Sequence, residues 1–235
     1  MKEKKFLIFD LDDTIFDFKK GEQEGLSNIF AEHPVSEVTF DQWLPVFKKV
    51  NSNTWKQIEE GGSAKDLLNT RFSTTYQAFG IEADGTLLER TYRNYLDQSY
   101  FVLEGAKALL DRLQQQGFVL IAGTNGKSST QRNRLKGTGL AEMFEDIVIS
   151  DEIGIAKPNR LFFEQILKRN SGMTKSNTLM IGDSLRSDIQ GAIHAELKNI
   201  WFNLYALKNH TNIQPDAECR TFQEVEQQIK QLFTL

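Results

Sequence analysis

The chain contains 235 residues, of which 40% are apolar, and its formal net charge at pH 7 is -4. This length suits one large domain or two modest ones, and the apolar content is enough to bury a core, which excludes a disordered chain. The acidic balance gives no general attraction for nucleic acid or for an anionic membrane, although a local positive pocket is compatible with it.

The first predicted element is a short strand that ends in a cluster of aspartates. Residues 6–9 form a continuous apolar run, which is typical of a strand buried on both faces of a parallel sheet. Asp10, Asp12 and Asp13 follow it within four positions. Like charges this close repel one another and raise one another's pKa. The cluster therefore costs free energy unless a cation or a reaction uses it.

The following segment, residues 17–99, is predicted to be all-helical. Apolar residues recur there at helical spacing in four stretches, marked by Leu26 to Phe30, Trp43 to Val50, Leu67 to Phe79, and Leu87 to Leu96. The break "EEGGSAKD" predicts a turn in which Ser63 caps the next helix. Amphipathic aromatic stripes mostly pack, so we interpret Trp43 and Trp55 as bundle core.

From Glu104 onward, strands and helices alternate. The predicted strands are "FVLIAG", "DIVIS", "TLMIGD" and "NIWFN", and a helical segment precedes each of them. This alternation predicts a parallel, doubly wound α/β sheet with helices on both faces. We therefore predict two domains, an α/β core of residues 1–16 and 100–235 and a helical domain of residues 17–99 inserted after the first strand.

Polar residues follow several of these strands. Ligands of open α/β sheets bind at the carboxyl ends of the strands. The second strand leads into "GTNG" and the fourth into "GDSLRSD", while Lys157 precedes a proline and a helix in "IAKPN". Together with the first strand, these segments bring carboxylates, a hydroxyl and one ammonium to one edge of the sheet.

The residue types at this edge suit phosphoryl transfer. Asp10 and Asp183 can hold Mg²⁺, and Asp10 can attack a phosphoryl group as a covalent nucleophile. Asp12 lies two positions further along, on the same side of an extended chain, where it can protonate a leaving oxygen and later activate water. Thr124 can donate a hydrogen bond to a phosphoryl oxygen, and Lys157 can offset the accumulated negative charge.

These segments carry a resemblance to a known family. "DLDDT", Thr124 after an apolar strand, Lys157 in "AKPN", and "GDSLRSD" resemble the four motifs of the haloacid dehalogenase (HAD) superfamily, in order and over essentially the whole chain. The resemblance implies that Asp10 is the nucleophile and Asp12 the general acid and base. The dehalogenases and phosphonatases of the superfamily lack an aspartate at the position that corresponds to Asp12. The pattern therefore points to a phosphatase.

The same resemblance implies a cofactor and a lid. It makes Asp183 a Mg²⁺ ligand together with Asp10 and the backbone carbonyl of Asp12, and it makes Asp188 a metal ligand or a hydrogen-bonding neighbour of one. A carboxylate at the N-terminus of a helix is the alternative interpretation of Asp188. The helical insertion resembles the C1 cap of the superfamily, which closes over the active site.

A narrower resemblance concerns the substrate. "TNG", "QRNRLKGTGL", "ISDEIGIAKPN" and "VNSNTWKQIEEG" are similar to segments of the pyrimidine 5'-nucleotidase group, which hydrolyses nucleoside monophosphates. This similarity implies that Thr124, Asn125, Gly126 and Lys157 bind the substrate. Gly123 departs from the superfamily pattern, in which a bulky aliphatic residue is more usual, and it is expected to loosen the strand end.

Other functions stay open at this stage. The alternatives are a phosphatase for another small ester, such as a sugar phosphate or phosphoglycolate, a phosphomutase, and a non-catalytic protein that binds metal or phosphate. "GTNGKS" also resembles the ATP loop of the Mur ligases, although a Walker A motif fails because Ile121 occupies the place of its first glycine. Lys127 is most simply a solvated loop residue, and a contact with the substrate phosphate is the alternative interpretation.

Several other residues are of types that can act as ligands or nucleophiles. In the helical segment, Asn51, Trp55 and Arg71 are candidates to face the substrate, with packing or a surface position as the alternative for each. The three histidines are scattered, so a zinc site is not supported. The one cysteine, Cys219, is interpreted as an inert thiol.

The cellular setting is also predicted. One cysteine cannot form an internal disulfide, the N-terminus leads directly into a strand instead of a signal peptide, and no apolar run approaches membrane-spanning length. We expect a cytoplasmic protein, monomeric or homodimeric, that has a small phosphate ester as its partner and neither nucleic acid nor membrane.

Overall fold

The computed structural model describes residues 4–233. The chain divides into two compact units. One unit contains the residues up to Phe18 and those from Tyr100 onward, and the other is Lys19–Ser99. The first unit holds the sheet, and the second is helical.

The first unit is built on a parallel sheet. Within residues 4–233 the sheet has six strands: β1 Lys5–Phe9, β2 Phe118–Thr124, β3 Asp146–Ile149, β4 Thr178–Gly182, β5 Lys198–Phe202 and β6 Ala217–Cys219. They lie in the order β3-β2-β1-β4-β5-β6, and every pair is parallel. The strand order reverses direction between β1 and β4, which is where such sheets bind ligands. The predicted doubly wound sheet is confirmed, and β6 is an additional strand.

Both faces of the sheet are covered, as the apolar run of β1 predicts. Leu7 and Phe9 point into one buried cluster, whereas Phe6 and Ile8 point into a second cluster on the opposite face. Successive side chains of a strand alternate between faces, so a run that is apolar at every position must be buried on both.

Helices flank this sheet. They are α5 Ala106–Gln115, α6 Ser128–Gly137, α7 Ser150–Ile153, α8 Arg160–Arg169, α9 Gln190–His194 and α10 Phe222–Leu232. The helix predicted after "GDSLRSD" begins with a π-helical turn, Leu185–Ile189, before α9. Among the residues described, no helix combines the length and the apolar character needed to span a membrane.

The second unit contains the helices α1 Phe18–Glu32, α2 Phe40–Glu59, α3 Ala64–Gln77 and α4 Gly85–Asp97, of which α1 starts at the last residue of the first unit. Trp43 is fully buried and stacks on Phe47 with the ring centroids 5.3 Å apart, as expected for bundle core. Ser63 caps α3 by accepting a hydrogen bond from the backbone N–H of Asp66, as predicted. The helical content predicted for this segment is confirmed.

A capping box at the start of α10 provides a test of local stability. The Thr221 hydroxyl accepts from the backbone N–H of Glu224 at 3.2 Å, and the Glu224 carboxylate accepts from the backbone N–H of Thr221 at 3.2 Å. We expect Thr221→Ala to lower the free energy of unfolding by about 1 kcal/mol, because the backbone N–H of Glu224 loses its side-chain acceptor. Thr221→Ser keeps the hydroxyl and is the matched control in urea denaturation. Equal losses in both variants would contradict this account.

Candidate active site

The central strands of the sheet end side by side. Phe9, the last residue of β1, is in register with Ala122 on β2 and with Ile181 on β4. The backbone N–H of Asp10 continues the ladder by donating to the carbonyl oxygen of Ile181 at 2.9 Å. The residues that follow these three strands are therefore delivered to one edge of the sheet, as the sequence predicts.

A buried lysine joins two of the predicted site residues. The Lys157 ammonium lies 2.6 Å from Asp10 Oδ1 and 2.6 Å from Asp188 Oδ1, and it also donates to the Gly123 carbonyl oxygen at 2.7 Å. The Lys157 side chain is only 1% exposed. Burial by itself lowers the pKa of Lys157, but the two carboxylates outweigh it and raise that pKa above its usual value. Lys157 is therefore a permanent positive charge within the acidic cluster.

The carboxylates exceed what one lysine can neutralise. Asp10, Asp183 and Asp188 each place an oxygen within 4.8 Å of the others. Burial raises the pKa of Asp10 to about 7, with Lys157 opposing the rise and Asp188 and Asp12 adding to it. Burial, followed by repulsion from Asp188 and Asp10, also raises the pKa of Asp183 well above its usual value. A set of oxygen ligands with unbalanced negative charge fits a hard divalent cation such as Mg²⁺.

The loop after β4 holds Asp188 in place. Its Oδ2 accepts a hydrogen bond from the backbone N–H of Ser184 at 3.0 Å, while its Oδ1 faces Lys157. Gly182 makes this approach possible, because a Cβ there would lie 2.3 Å from Asp188 Oδ2. Asp188 is 1% exposed. Both of its oxygens are therefore engaged inside the protein.

Helix α6 contributes two contacts to Asp12. Gln131 Nε2 donates to Asp12 Oδ2 at 2.6 Å, and Arg134 Nη1 donates to Asp12 Oδ1. The guanidinium of Arg134 lies over the Phe16 ring, 4.2 Å from its centroid. The sequence patterns indicate no role for Gln131 or Arg134. Their spacing of three residues on a helix is the signal that they share a face.

Asn125 links the loop after β2 to Lys157. Its Oδ1 accepts from the backbone N–H of Lys157 at 2.8 Å, and its Nδ2 donates to the Lys157 carbonyl oxygen at 2.9 Å. The next residue, Gly126, donates its backbone N–H to the Thr124 hydroxyl at 3.3 Å. The side chain of Asn125 thus fixes the backbone that carries the site lysine. Its predicted contact with substrate, like that of Gly126, stays a prediction.

Comparison with known proteins identifies the family to which this chain belongs. Residues 7–202 match the haloacid dehalogenase-like hydrolase family. The chain belongs to this family. Pyrimidine 5'-nucleotidase PynA of Streptococcus pneumoniae is 40% identical over 224 residues, which cover 94% of this chain and 93% of PynA. Pyrimidine 5'-nucleotidase YjjG of Escherichia coli is 30% identical over 223 residues, which cover 94% of this chain and 96% of YjjG.

A solved structure agrees with the fold. The crystal structure of the HAD-hydrolase YfnB of Bacillus subtilis bound to magnesium superposes with a TM-score of 0.88, at 36% identity and with 100% of each chain covered. The predicted HAD fold is thereby confirmed. The prediction that the protein is a phosphatase of this family is confirmed as well.

Gly123 is the departure from the HAD pattern, and the structure shows how it is accommodated. A Cβ at this position would lie 2.9 Å from Ile8 Cγ2, 3.3 Å from Ile166 Cδ1 and 3.4 Å from Phe162 Cε1. Neighbouring apolar side chains therefore fill the space of the usual aliphatic residue. The expected loosening of the strand end is not observed, because Gly123 remains within β2 and its carbonyl oxygen binds Lys157.

The glycine-rich loop does not form a nucleotide site of the Mur ligase type. Lys127 makes an ion pair with Asp151 at 2.7 Å, and the other oxygen of Asp151 accepts from the backbone N–H of Ser128 at 3.2 Å. A carboxylate thus occupies the N-terminus of α6, where a phosphate would bind in such a loop. The ligase interpretation also conflicts with membership of the HAD family.

In the helical unit, the three candidate residues lie in different surroundings. Arg71 is buried and makes two contacts with Glu89, at 2.7 and 3.0 Å, and one with Asn51 Oδ1 at 2.8 Å. Arg93 adds a second cation to Glu89 at 2.7 Å. Trp55 is half-buried. Arg71 therefore belongs to a buried charge network inside the bundle, which is the packing alternative considered for it.

Lys157 in the acidic cluster and Lys127 in the glycine-rich loop provide a stability test. We expect Lys157→Met to lower the free energy of unfolding by about 3–5 kcal/mol, because two buried carboxylates lose their shared cation. Lys127→Met removes an ion pair on the surface and should change stability by less than about 1 kcal/mol. Urea denaturation near neutral pH in chelator measures both. The double variant Lys157→Met/Asp188→Asn should recover part of the loss, and similar values for the two single variants would contradict the assignment.

Proposed function

We propose that this protein is a Mg²⁺-dependent phosphatase that hydrolyses nucleoside 5'-monophosphates, preferentially those with pyrimidine bases, through an aspartyl-phosphate formed on Asp10. The observation that carries the proposal is the arrangement of Asp10. This carboxylate lies at the end of β1, where it contacts Lys157 and places an oxygen within 4.8 Å of a carboxylate oxygen of Asp183.

In the first half of the reaction, an oxygen of Asp10 attacks the phosphorus atom. The bond between phosphorus and the leaving oxygen breaks, and the Asp12 carboxyl group donates its proton to that oxygen. In the second half, a water molecule attacks the phosphorus of the aspartyl-phosphate and gives a proton to Asp12, which restores Asp10 and releases phosphate. The Asp12 carboxyl group therefore acts as the acid in the first half of the reaction and as the base in the second.

The phosphoryl oxygens need donors and positive charge at this place. Thr124 is 1% exposed at the end of β2, and its hydroxyl supplies one donor. Lys157 supplies a charge that is already held in position by Asp10 and Asp188, so no reorganisation is needed during the reaction. Asn125 and Gly126 complete the proposed phosphate-binding loop.

The proposed metal ligands are Asp10, Asp183, the backbone carbonyl of Asp12, and Asp188. Three of these residues form the oxygen cluster described above. When bound, Mg²⁺ would neutralise the phosphoryl and carboxylate charges and polarise the phosphoryl group. Of the cluster, Asp10 and Asp183 are the better direct ligands, because both oxygens of Asp188 already accept hydrogen bonds from the protein.

The substrate class rests on relatives. PynA and YjjG, which are named pyrimidine 5'-nucleotidases, align with 94% of this chain. Other small phosphate esters are the competing substrates, and a phosphomutase would keep both Asp10 and Asp12. A non-catalytic binding protein is disfavoured, because binding alone needs no nucleophile with an acid and base two residues away. The helical unit is proposed to act as the cap that selects the substrate.

The activity is tested by phosphate release. The panel contains nucleoside monophosphates with pyrimidine and purine bases, sugar phosphates and phosphoglycolate, each with Mg²⁺ and with chelator. We expect fastest release from UMP, dUMP or dTMP, loss in chelator, and a decrease of at least about a thousandfold for Asp10→Asn, because the nucleophile is removed.

Asp151→Asn is the matched control for that experiment, since it removes a carboxylate outside the site. Product analysis distinguishes free phosphate from transfer within a sugar. Metal binding without turnover of any ester would instead support a binding protein. Faster release from sugar phosphates than from every nucleotide would retain the phosphatase and reject the nucleotidase.

Metal binding is tested separately, by thermal unfolding. We expect Mg²⁺ to stabilise the wild-type protein by about 2.7 kcal/mol at a concentration 100 times its dissociation constant, because it binds the folded cluster only. Asp183→Asn should weaken this response strongly, whereas Asp151→Asn should leave it unchanged. An equal response in all three proteins would show that Mg²⁺ binds elsewhere.

A further inference from the structure

Helix α6 presents two buried polar side chains to the proposed acid and base. Gln131 and Arg134 are each 1% exposed. Their donors contact different oxygens of the same carboxylate, Gln131 Nε2 at Asp12 Oδ2 and Arg134 Nη1 at Asp12 Oδ1. The Asp12 side chain is 29% exposed. Asp12 is therefore held from one side by the protein and is accessible from the other.

Arg134 also determines the orientation of the Gln131 amide. Arg134 Nη1 donates to Gln131 Oε1 at 3.3 Å, so the amide oxygen faces the guanidinium and the amide nitrogen faces Asp12. The reverse orientation would place two donors against each other and two acceptors against each other. The guanidinium is itself fixed by the Phe16 ring beneath it.

The second hydrogen of the amide reaches the phosphate-binding threonine. Gln131 Nε2 lies 3.2 Å from Thr124 Oγ1 as well as 2.6 Å from Asp12 Oδ2. The Thr124 oxygen also accepts from the backbone N–H of Gly126. A hydroxyl oxygen accepts two hydrogen bonds and donates one. Since both acceptor positions are used, the Thr124 hydrogen is left to be donated to a further acceptor.

The local sequence makes room for this amide. A Cβ at Gly126 would lie 2.2 Å from Gln131 Nε2 and 2.7 Å from its Cγ. Any residue other than glycine at position 126 would displace the Gln131 side chain. The glycine of "TNG" and the glutamine five residues later are thus parts of one arrangement.

We propose that Gln131 and Arg134 are positioning residues for ester cleavage: they hold Asp12 facing the leaving oxygen, and Gln131 also directs the Thr124 hydroxyl hydrogen toward the phosphoryl group. This inference rests on the proposed phosphatase function. Neither residue contacts the reacting atoms, so each acts through Asp12 or Thr124. The consequence is specific to the leaving group, because Asp12 protonates that oxygen.

The test compares two esters that differ in their need for an acid. The leaving group of p-nitrophenyl phosphate departs without protonation, whereas the leaving group of UMP is an alkoxide that requires it. For Gln131→Met, we expect kcat/KM on UMP to fall about 30-fold or more, within the range of general acid catalysis, and kcat/KM on p-nitrophenyl phosphate to fall about tenfold less, because only the contribution of Thr124 is lost there. Hydrolysis of the aspartyl-phosphate is common to both esters, so kcat should fall for both.

Asp12→Asn should cause the largest fall in the ratio of kcat/KM for UMP to kcat/KM for p-nitrophenyl phosphate. Arg134→Lys keeps the positive charge but not the planar guanidinium, and it should lower the same ratio. Arg132→Gln is the control on the same helix, because Arg132 pairs with Glu152 outside the site, and it should leave the ratio unchanged. The melting temperature of each variant is measured beside the kinetics, and Arg134→Lys serves as the primary variant if Gln131→Met does not fold.

The possible results distinguish a failure of the positioning role from a failure of the proposed phosphatase function. A purely structural role would lower kcat/KM for both esters by the same factor, and an unchanged ratio in Gln131→Met and Arg134→Lys overturns the positioning role while leaving the phosphatase intact. Wild-type protein that turns over neither ester overturns the proposed function, and the positioning role with it. A ratio that falls in both variants but not in Arg132→Gln supports the inference.

Discussion

The contact between the Lys157 ammonium and two buried aspartates is the interaction on which the site depends. Carboxylates as close as those of Asp10 and Asp188 cannot both remain charged in a buried place without a cation. Lys157 supplies one positive charge to two acids, and it is also bound to the backbone at Gly123. The cluster therefore keeps a net negative charge, which a bound divalent cation can neutralise.

Strand register explains why this contact can form at all. Asp10 is far from Lys157 and from Asp188 in sequence, and only a parallel sheet with β1 between β2 and β4 brings their segments to one edge. Burial of β1 on both faces fixes that register, because a slip by one residue would exchange the side chains of the two cores. Core packing and site geometry thus have a common cause.

The sequence was sufficient for strands β1 to β5 and for the residues at their ends, because both follow from local patterns. Apolar runs mark buried strands, and the polar residue after each run must lie at the ligand-binding edge. The roles of Gln131 and Arg134 could not be predicted in this way. Their partner is Asp12, more than a hundred residues away, and a polar helix residue has the same local signal whether it faces solvent or a carboxylate. Strand β6 was missed because three residues are too short for a periodic pattern.

Gly123 shows a second reason why local sequence is an incomplete guide to structure. Its identity indicated a weaker strand end, but the outcome depended on the volumes of Ile8, Phe162 and Ile166, which come from other elements. Local propensity is a weak guide where tertiary packing fills the space that a small residue leaves.

The paired hydrogen bonds between Asn125 and the backbone of Lys157 have a mechanical meaning. They join the loop after β2 to the loop before α8, and so connect the two segments that carry the proposed phosphate-binding threonine and the proposed charge-balancing lysine. The two hydrogen bonds therefore favour a constant spacing between Thr124 and Lys157, because neither loop can move away without breaking them.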